Sequence, residues 1–405
     1  MEKLLKLIFD IKNIYKVMPV LLLIIYGPGV IIAFFRLGPT PEVLEFLSLF
    51  VISLVTYFCV YKLLKVIIRK KLVVNAGLSV VNMSNLLFFF YFIFIAYVVL
   101  TAPAIPLYLS LKGASSNDLS HYRELFLKAR TGFDASLVYF NAIFTVAVLP
   151  FSIASLYIVK YKYRHFYLVF FIFTLLLSME KSLIARALLP LLVLVVNGYV
   201  KDNYLTLKRI LVGLGLGLFL ITFLSLGNLA NDETKLISEF VDVDPIAAKY
   251  FVVNNPDNAF MFIINRTFWI PFITSIDWLT YYNTVLHREL VMGASSSMIS
   301  GVFGMDRVNL ERLVFEFEWG QNESGTGSAN TVYFIDIFLN FGYLGVVVSN
   351  AILAFIIRFF EFSDNNAAKA SFFVYAYFIA TSTLIGVLFS SGLLLLMFLV
   401  LFVKK

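Results

Sequence analysis

The feature that most constrains this chain is a succession of long apolar runs that carry almost no charge. Of the 405 residues, 60% are hydrophobic and only 14% are charged, whereas a soluble domain is about a quarter charged. A water-soluble fold of this length has no way to hide so much apolar surface, so lipid must be the solvent of these runs. Only helices and closed barrels span a bilayer, and runs of about 20 residues have the length of helices. The sequence therefore predicts an all-α membrane protein.

Ten runs are predicted to be transmembrane helices, for which about 17 to 25 apolar residues suffice. Between the last two, Ser390, Ser391 and Gly392 fit either a tight turn or a kink in one long helix. No soluble domain, repeat or low-complexity tract is visible, so residues 1–405 are predicted to form a single membrane domain. The predicted spans are 19–35, 44–64, 86–109, 137–159, 164–179, 183–200, 209–228, 331–359, 370–387 and 390–403.

The basic residues between the runs indicate how the chain is oriented. When the N-terminus is placed in the cytoplasm, every short loop on that side is basic, as in residues 62–71 and 201–209, which satisfies the positive-inside rule. Ten spans then place both termini in the cytoplasm. This arrangement accounts for the net charge of +7 without a nucleic-acid partner. Residues 1–16 are basic and polar, with no cleavage site after them, so the first span is expected to be retained.

Two loops are predicted to face away from the cytoplasm, residues 110–136 and the much larger 229–330. The larger loop contains the apolar segment 259–279, which Arg266, Pro271 and Asp277 interrupt. A charge at the bilayer centre costs at least about 2.5–3.5 kcal/mol. This segment is therefore expected to form an interfacial or re-entrant helix. The alternative, an eleventh span, would invert the charge bias of the C-terminal third.

Several cations on the predicted outer side are candidates for binding phosphate, because the guanidinium fork of arginine fits phosphate oxygens. Lys181 and Arg186 stand where a short outer turn leads into a span; alternatively Arg186 reaches the lipid headgroups and pairs with Glu180. Arg266 lies among apolar residues and needs an anion, which is Asp277, a lipid phosphate or a substrate phosphate.

Other residues of the two outer loops are candidates for glycan contacts or proton transfer. His287 can act as a general base near neutral pH and Arg288 follows it, although loop histidines are more often surface residues. Trp278 and Tyr281 can stack on sugar rings, or they belong to an aromatic belt at the membrane surface. Arg130 belongs to a basic helix face that either contacts glycan or faces anionic lipid.

The stretch from Glu323 to Gly345 is the most informative part of the sequence. A flexible Gly/Ser segment leads through Asn330 into a span that carries Asp336 and Asn340. Polar residues on a spanning helix usually face a cavity and indicate function. Gly342 is predicted, with Gly345, to allow close helix contact. No nucleotide loop, zinc pattern or nucleophile elbow is present, so neither a metal nor a cofactor is expected.

At this stretch the sequence resembles the O-antigen polymerases, the Wzy-type oligosaccharide repeat-unit polymerases of bacteria. The matching pieces are 327–330 (Gly-Ser-Ala-Asn), 340–345 (Asn-Phe-Gly-Tyr-Leu-Gly), the basic start of a span at 181–186, and an arginine ahead of a proline at 266–271. The related O-antigen ligases carry a histidine directly before the asparagine. Here that residue is Ala329, which departs from the ligase pattern.

The resemblance implies a membrane glycosyltransferase with the glycosyltransferase C-type fold and a large extracytoplasmic loop, in the bacterial inner membrane. Such enzymes polymerise undecaprenyl-pyrophosphate-linked repeat units into O-antigen or a related surface polysaccharide, at the outer face and without a metal. Their partners are the lipid-linked glycans, membrane lipids and a chain-length regulator. The expected site comprises Glu323, Asp336 and His287 as candidate bases, Arg186, Arg266, Lys181 and Arg288 for pyrophosphate, and Asn330, Trp278, Tyr281 and Arg130 for glycan.

Two other functions stay open. A transporter, such as a flippase for lipid-linked oligosaccharide, would show charges near the membrane midplane and an internal repeat. Asp336 is the only mid-span charge visible in the sequence, and no repeat is visible. An O-antigen ligase would move glycan onto lipid A core, and the absence of its histidine counts against it.

Overall fold

The computed structural model describes residues 5–404 except 7, 37, 69–76, 115, 180, 227–264 and 321–326. These residues are almost entirely helical, which confirms the predicted all-α class. Shorter turns interrupt the α-helices: 3-10 turns at Ile11–Lys16 and Gly132–Ser136, and π-helical turns at Glu124–Lys128, Phe144–Val148 and Asn265–Trp269.

The α-helices of the described residues are numbered in chain order. They are α1 Val17–Arg36, α2 Pro41–Ile67, α3 Val80–Thr101, α4 Pro106–Leu111, α5 Ser116–Arg123, α6 Leu137–Ile143, α7 Leu149–Ile158, α8 Arg164–Leu177, α9 Lys181–Val196, α10 Leu207–Leu226, α11 Ile270–Thr284, α12 Ser297–Phe303, α13 Leu310–Trp319, α14 Tyr333–Phe362, α15 Asn366–Thr381, α16 Leu384–Phe389 and α17 Leu393–Phe402. The two-residue strands β1 (Leu78–Ser79) and β2 (Val403–Lys404) pair in parallel.

Six helical segments of the described chain are long and apolar enough to cross a membrane, so the protein is a membrane protein with transmembrane helices. The two apolar helices α8 and α9 are shorter, with 14 and 16 residues. The total of ten spans stays a prediction. The six long segments are Ile11–Phe35, Pro41–Ile67, Val80–Thr101, Gly132–Ile158, Tyr333–Phe362 and Leu384–Phe402.

The third span differs from the predicted range 86–109. Helix α3 ends at Thr101, and Pro106 begins the separate short helix α4. Proline has no amide hydrogen to donate and disfavours a helical residue before it, so Pro103 and Pro106 stop the helix early. Hydrophobicity alone does not predict the break at the prolines, so the predicted span extends beyond the end of the helix.

Local side-chain bonds fix several helix starts. Thr40 caps α2 by accepting a hydrogen bond from the Val43 amide, and Pro41 occupies the first helical position. Asn365 caps α15 in the same manner, accepting from the amides of Ala367 and Ala368. Both caps follow the preference for small polar residues at the N-cap position. Helix α2 also follows the preference for proline in the first turn.

Helix α2 packs against α14, and the part of α14 that carries Asn350 and Glu361 runs parallel to it. Near their starts, Phe46 and Phe334 place their ring centroids 5.7 Å apart. Near their ends, the Tyr61 hydroxyl donates to Glu361 at 2.7 Å. Between these points, the Tyr333 hydroxyl donates to Asn350 at 2.7 Å, within a buried polar network. Such interhelical bonds hold helices together where lipid offers no hydrophobic drive for association.

The predicted helix at 259–279 corresponds to the π-helical turn Asn265–Trp269 and α11, while 259–264 lie outside the described residues. Trp269 and Trp278 are buried in the protein. Phe272 packs edge-on against Phe46 of α2, with 5.1 Å between ring centroids, and directly against Gly29 of α1. This helix is therefore part of the core, and whether it also crosses the bilayer stays open.

The segments predicted to face the cytoplasm meet at one end of the bundle. The Tyr57 hydroxyl donates to the Tyr15 carbonyl, and Asn197 after α9 donates to the Phe9 carbonyl. Arg358 near the end of α14 donates to the Ile68 carbonyl after α2. We call this the basic end. The side of a membrane that it faces stays a prediction.

Candidate functional site

A break in α14 lies at the opposite end, ten residues into the helix. Gly342 has φ +64° and ψ −162°, a backbone conformation open essentially only to glycine. The carbonyls of Leu339 and Asn340 accept hydrogen bonds from the Val291 and Met292 amides instead, both at 3.0 Å. The loop between α11 and α12 therefore satisfies the groups that the break releases, as backbone at membrane depth requires.

The polar residues before this break form a compact buried cluster. The Asn340 side-chain amide donates to Asp336 Oδ1 at 3.1 Å and to Ser295 Oγ at 2.8 Å. Asn340 Oδ1 accepts from the Gly293 amide at 3.0 Å, and Ser295 Oγ lies 3.3 Å from Asp336 Oδ1. Asp336 is 1% exposed. The cluster ties the first turns of α14 to the loop that seals the break.

Asp336 also lines a cavity of about 260 Å³, which we call the serine cavity. Arg307 and Asn309 at its rim are exposed, whereas Asp336 and Trp278 are buried, so the cavity runs from the surface to a buried floor. Its charged lining residues are Arg307, Glu311 and Asp336. Seven serine and threonine residues also line it: Ser295, Ser296, Ser297, Ser382, Thr383, Ser390 and Ser391.

Two further helix breaks supply the far wall of the serine cavity. The first, Ser382–Thr383, separates α15 from α16, and Thr383 caps α16 by accepting from the Gly386 amide. The second lies at residues 390–392 between α16 and α17, where Gly392 has φ +78°. The Ser-Ser-Gly sequence is therefore a break between two helices, and the additional break at Ser382 was not predicted. Helix breaks inside a membrane protein are tolerated where they line a cavity.

Glu311 stands in the first turn of α13, near Arg307. Ser328 donates to Glu311 Oε2 at 3.3 Å. Burial raises the pKa of Glu311 above its usual value, and the Ser328 hydroxyl and the Arg307 charge offset part of this rise. Glu311 is also close enough to Asp336 for the two charges to interact. The cavity therefore holds two neighbouring carboxyl groups beside one guanidinium.

The Gly/Ser segment before α14 is held against this carboxylate. The Ala329 amide donates to the Glu311 carbonyl at 2.9 Å, and the Trp278 indole donates to the Ala329 carbonyl at 2.8 Å. Ala329 is 4% exposed. Ala329 thus lies between the helices that carry Trp278 and Glu311.

The predicted glycan and base residues are divided between the cavity and other parts of the fold. Asp336 and Trp278 line the serine cavity. Asn330 is exposed and its carbonyl accepts from Thr274 at 3.0 Å, whereas Tyr281 is buried edge-on against Phe317. Glu323 lies outside the described residues. Of the six glycan and base candidates with described side chains, the structure brings Asp336 and Trp278 together at one cavity.

His287 and Arg288 lie in the loop after α11 and are both exposed. Their φ values of +49° and +65° are left-handed, which is uncommon for residues with a side chain. Arg288 donates to Asn283 at 2.9 Å and forms a 3.5 Å ion pair with Glu45 of α2. Neither residue is among those that line the serine cavity. Their proposed roles stay predictions.

The remaining predicted cations are likewise not among the residues lining the cavity. The Arg186 guanidinium lies 4.4 Å from the centre of the Phe378 ring. Lys181 begins α9 and Arg266 lies in the π-helical turn, and the placement of their side chains is outside what the structure describes. Arg130 pairs with Asp134 and donates to two carbonyls and the Thr101 hydroxyl.

Sequence reasoning missed Glu311, Arg307 and the serines of the far wall. The run Ser295-Ser-Ser297 and the pair Ser390-Ser391 were visible signals, because consecutive hydroxyl residues are out of place in apolar surroundings. Glu311 gave less signal, since an acidic residue in the first turn of a helix is the ordinary complement of the helix dipole. Only the fold brings these segments to one cavity.

Protein-family models, curated proteins and solved structures were all compared with this chain, and none matches. Among the described residues, no group of three or more His, Cys, Asp or Glu side chains is arranged to hold a metal ion. The fold and composition define an all-α membrane protein with a polar cavity at one end. The resemblance to the O-antigen polymerases stays a prediction.

Proposed function

We propose that this protein is a membrane glycosyltransferase that polymerises lipid-pyrophosphate-linked oligosaccharide repeat units. The observation that carries the proposal is the serine cavity, which hydroxyl side chains, two carboxyl groups and one guanidinium line together. A lining of this kind suits a saccharide. Its hydroxyl groups lose hydrogen bonds to water when they are bound, so they need new partners in the protein. The sequence resemblance points to the same class of reaction.

The reaction requires one group that takes a proton and one that stabilises a leaving anion. An acceptor hydroxyl attacks the anomeric carbon of the donor sugar, and the bond from that carbon to the pyrophosphate oxygen breaks. The electron pair leaves with the pyrophosphate, and the acceptor proton passes to a carboxylate. Arg307 is suited to hold the leaving pyrophosphate, because a fixed cation stabilises the negative charge that develops there.

The cellular setting follows from the sequence and is part of the proposal. The basic end faces the cytoplasm of a bacterium, both termini lie there, and the serine cavity opens on the outer face of the inner membrane. The carriers are undecaprenyl-pyrophosphate-linked glycans, the product is O-antigen or a related surface polysaccharide, and a chain-length regulator is the expected protein partner. A ligase is less well supported, because Ala329 offers no imidazole beside the cavity.

A second function, transport of a lipid-linked oligosaccharide, is favoured by one observation. Two helix breaks, at Ser382–Thr383 and residues 390–392, line one polar cavity, and a third, at Gly342, follows Asp336 on α14. Discontinuous helices around a central site are typical of transporters. Unlike a polymerase, a transporter would move the lipid-linked saccharide across the bilayer and leave its glycosidic bonds unchanged.

The test uses purified full-length protein with lipid-pyrophosphate-linked repeat units, in detergent for bond formation and in vesicles for translocation. The proposal expects a ladder of products that grow by one repeat unit. Arg307→Ala should lower ladder formation by roughly 10²-fold, the scale of losing one preorganised charge-stabilising group.

Arg312→Ala is the matched control, since Arg312 is exposed and pairs with Glu316 on the solvent side of the same helix. It should leave ladder formation close to the wild-type rate. Translocation in vesicles without any new glycosidic bond would replace the polymerase with the transporter. If neither activity were detected with any lipid-linked repeat unit, both proposals would be wrong.

A further inference from the structure

The two carboxyl groups of the serine cavity are held in different ways. Asp336 is 1% exposed, and its Oδ1 has two hydrogen-bond partners, Asn340 at 3.1 Å and Ser295 at 3.3 Å. Asn340 is itself fixed by the Gly293 amide. The Asn340 side-chain amide also donates to Ser295 Oγ at 2.8 Å, so Asp336 and Asn340 together orient the Ser295 hydroxyl at the cavity wall.

Glu311 is held more loosely and lies nearer to the rim. Its carboxyl group accepts from Ser328 at 3.3 Å, the long end of a hydrogen bond, and it is partly exposed. Its backbone, by contrast, is fixed within α13 and by the Ala329 amide at 2.9 Å. Because its backbone is firmly positioned and its carboxyl group is held only by a long hydrogen bond, Glu311 is suited to exchange a proton.

We propose that Glu311 is the catalytic base of the serine cavity and that Asp336 is a positioning residue that acts through Ser295. This inference rests on the proposed glycosyltransferase function and assigns its proton acceptor. Glu311 lines the same cavity as Arg307, which binds the pyrophosphate, and as the serine and threonine hydroxyls, which hold the acceptor sugar. The acceptor is a neutral, polyhydroxylated sugar ring at the end of a glycan.

Proton transfer accompanies the formation of the new glycosidic bond. One Glu311 carboxylate oxygen takes the proton of the acceptor hydroxyl while the oxygen of that hydroxyl forms the new bond to the anomeric carbon. The bond between this carbon and the pyrophosphate oxygen breaks, and its electron pair stays on the pyrophosphate. The protonated Glu311 then releases its proton to water at the exposed rim, which returns the carboxylate for the next cycle.

Burial of Glu311 fits this role, because a base works best when its pKa is raised toward the working pH. A carboxyl group with an ordinary pKa is a weak base near neutrality. The Ser328 hydroxyl and the Arg307 charge limit this rise in the pKa of Glu311. The same cation thus serves the leaving group and the base.

The test compares Glu311→Gln with Glu316→Gln in the ladder assay at a range of pH values. Glu316 stands on the same helix, exposed and paired with Arg312, and its substitution should leave turnover unchanged. Glu311→Gln should lower turnover by roughly 10²-fold or more, the range of general-base help. It should also remove the fall in rate on the acid side of the pH profile, while binding of the free acceptor saccharide is retained.

Asp336→Asn provides the second arm. A positioning residue should raise the KM for the acceptor and lower kcat, yet keep the acid side of the pH profile as in the wild type. If Glu311→Gln kept turnover within about threefold of the wild type, or kept the acid limb, Glu311 would not be the base. If Asp336→Asn alone removed the acid limb, the two roles would be exchanged. A wild-type protein that forms no glycosidic bond would instead refute the glycosyltransferase itself, and with it the base.

Discussion

Two carboxyl groups outside the long apolar helices, Asp202 and Glu311, are treated in opposite ways by this fold. Asp202 lies in the loop after α9, near the basic end, with a side chain 4% exposed. Arg164 donates to its Oδ2 from two nitrogens, at 3.0 and 2.7 Å, and the Tyr204 amide donates to Oδ1 at 2.8 Å. Glu311, at the serine cavity, accepts from Ser328 at 3.3 Å.

The pKa of each group follows from these surroundings. Burial acts against the charge of Asp202, but the Tyr204 amide, Arg164 and His165 outweigh it and hold the pKa below its usual value. Burial dominates at Glu311 and raises its pKa. A carboxylate fixed by several donors is suited to hold helices together, whereas one with a raised pKa costs stability when it is charged and is suited to exchange a proton.

Replacement of Asp202 is expected to have the largest effect on stability. Asp202→Asn leaves the Arg164 fork without its anion and should lower the free energy of unfolding by about 3 kcal/mol at neutral pH. Because the folded-state pKa is lowered, this contribution is present above the usual value of 3.8 and is lost as pH falls through the folded-state pKa. Unfolding in mild detergent, measured at pH 7 and pH 3, checks both points.

The matched control for this variant is Glu316→Gln, whose carboxylate pairs with the exposed Arg312. The exposed pair with Arg312 should contribute no more than about 0.5 kcal/mol. If Asp202→Asn were as stable as this control, the Asp202 cluster would not be a structural clamp and the contrast with Glu311 would fail.

Gly342→Ala tests how much the stability of the cavity end depends on the backbone conformation at the helix break. The comparison is with the basic end, where ion pairing by Asp202 provides the stability. A side chain is disfavoured at φ +64° and ψ −162°, and a Cβ added at Gly342 would lie an ordinary 3.8 Å from Leu290, so the backbone rather than a clash is decisive. The expected loss is about 2 kcal/mol. Binding of the acceptor saccharide should weaken with it, because Asn340 and the sealing loop lose their register.

Gly301→Ala is the control for this prediction. Gly301 lies in α12 on the exposed surface, with no atom near a Cβ at that position, and its substitution should be neutral or slightly stabilising. A loss at Gly301 equal to that at Gly342 would show that the break is not special.

Sequence reasoning predicted the long helices well, because lipid imposes the same demand on every span, about 20 apolar residues. It found Asp336 and Asn340 for a related reason, since polar residues in such runs stand out. It missed Glu311 and Arg307, which lie on a segment of mixed polarity where charges are ordinary. Their importance comes from the fold, which brings α13 beside the start of α14.

The helix breaks also separate what can be predicted from local sequence from what depends on the fold. Gly342 was expected, with Gly345, to allow close helix contact. Gly342 instead breaks the helix, whereas Gly345 does lie close to Phe341 and Ile337 of the helical segment before the break. The conformation of a glycine depends on what replaces the lost hydrogen bonds. Here the replacement comes from Val291 and Met292, far earlier in the chain, which local sequence rules do not reach.

Arg164→Lys is a smaller change at the ion pair of Asp202, and it tests how much the geometry of the arginine contributes. Lysine keeps the charge but loses the rigid fork that donates twice to Asp202, so stability should fall by about 1 kcal/mol. The pKa of Asp202 should move back toward its usual value, which titration by NMR with labelled aspartate would report. Arg312→Lys is the exposed control, and an equal effect there would mean that the geometry of the fork is unimportant.

Glu311→Gln is expected to have the smallest effect on stability and one of the opposite sign. Because the folded-state pKa is raised, the contribution of Glu311 to stability is fully present below its usual value of 4.5 and is lost as pH rises through the folded-state pKa. The variant should therefore equal the wild type near pH 4 and gain at most about 1 kcal/mol at pH 7. A gain in stability with a loss of turnover is typical of a functional residue that the fold holds at a cost. A loss of stability at pH 7 would place Glu311 with Asp202, as a structural carboxylate, and would remove the difference between the two ends of the molecule.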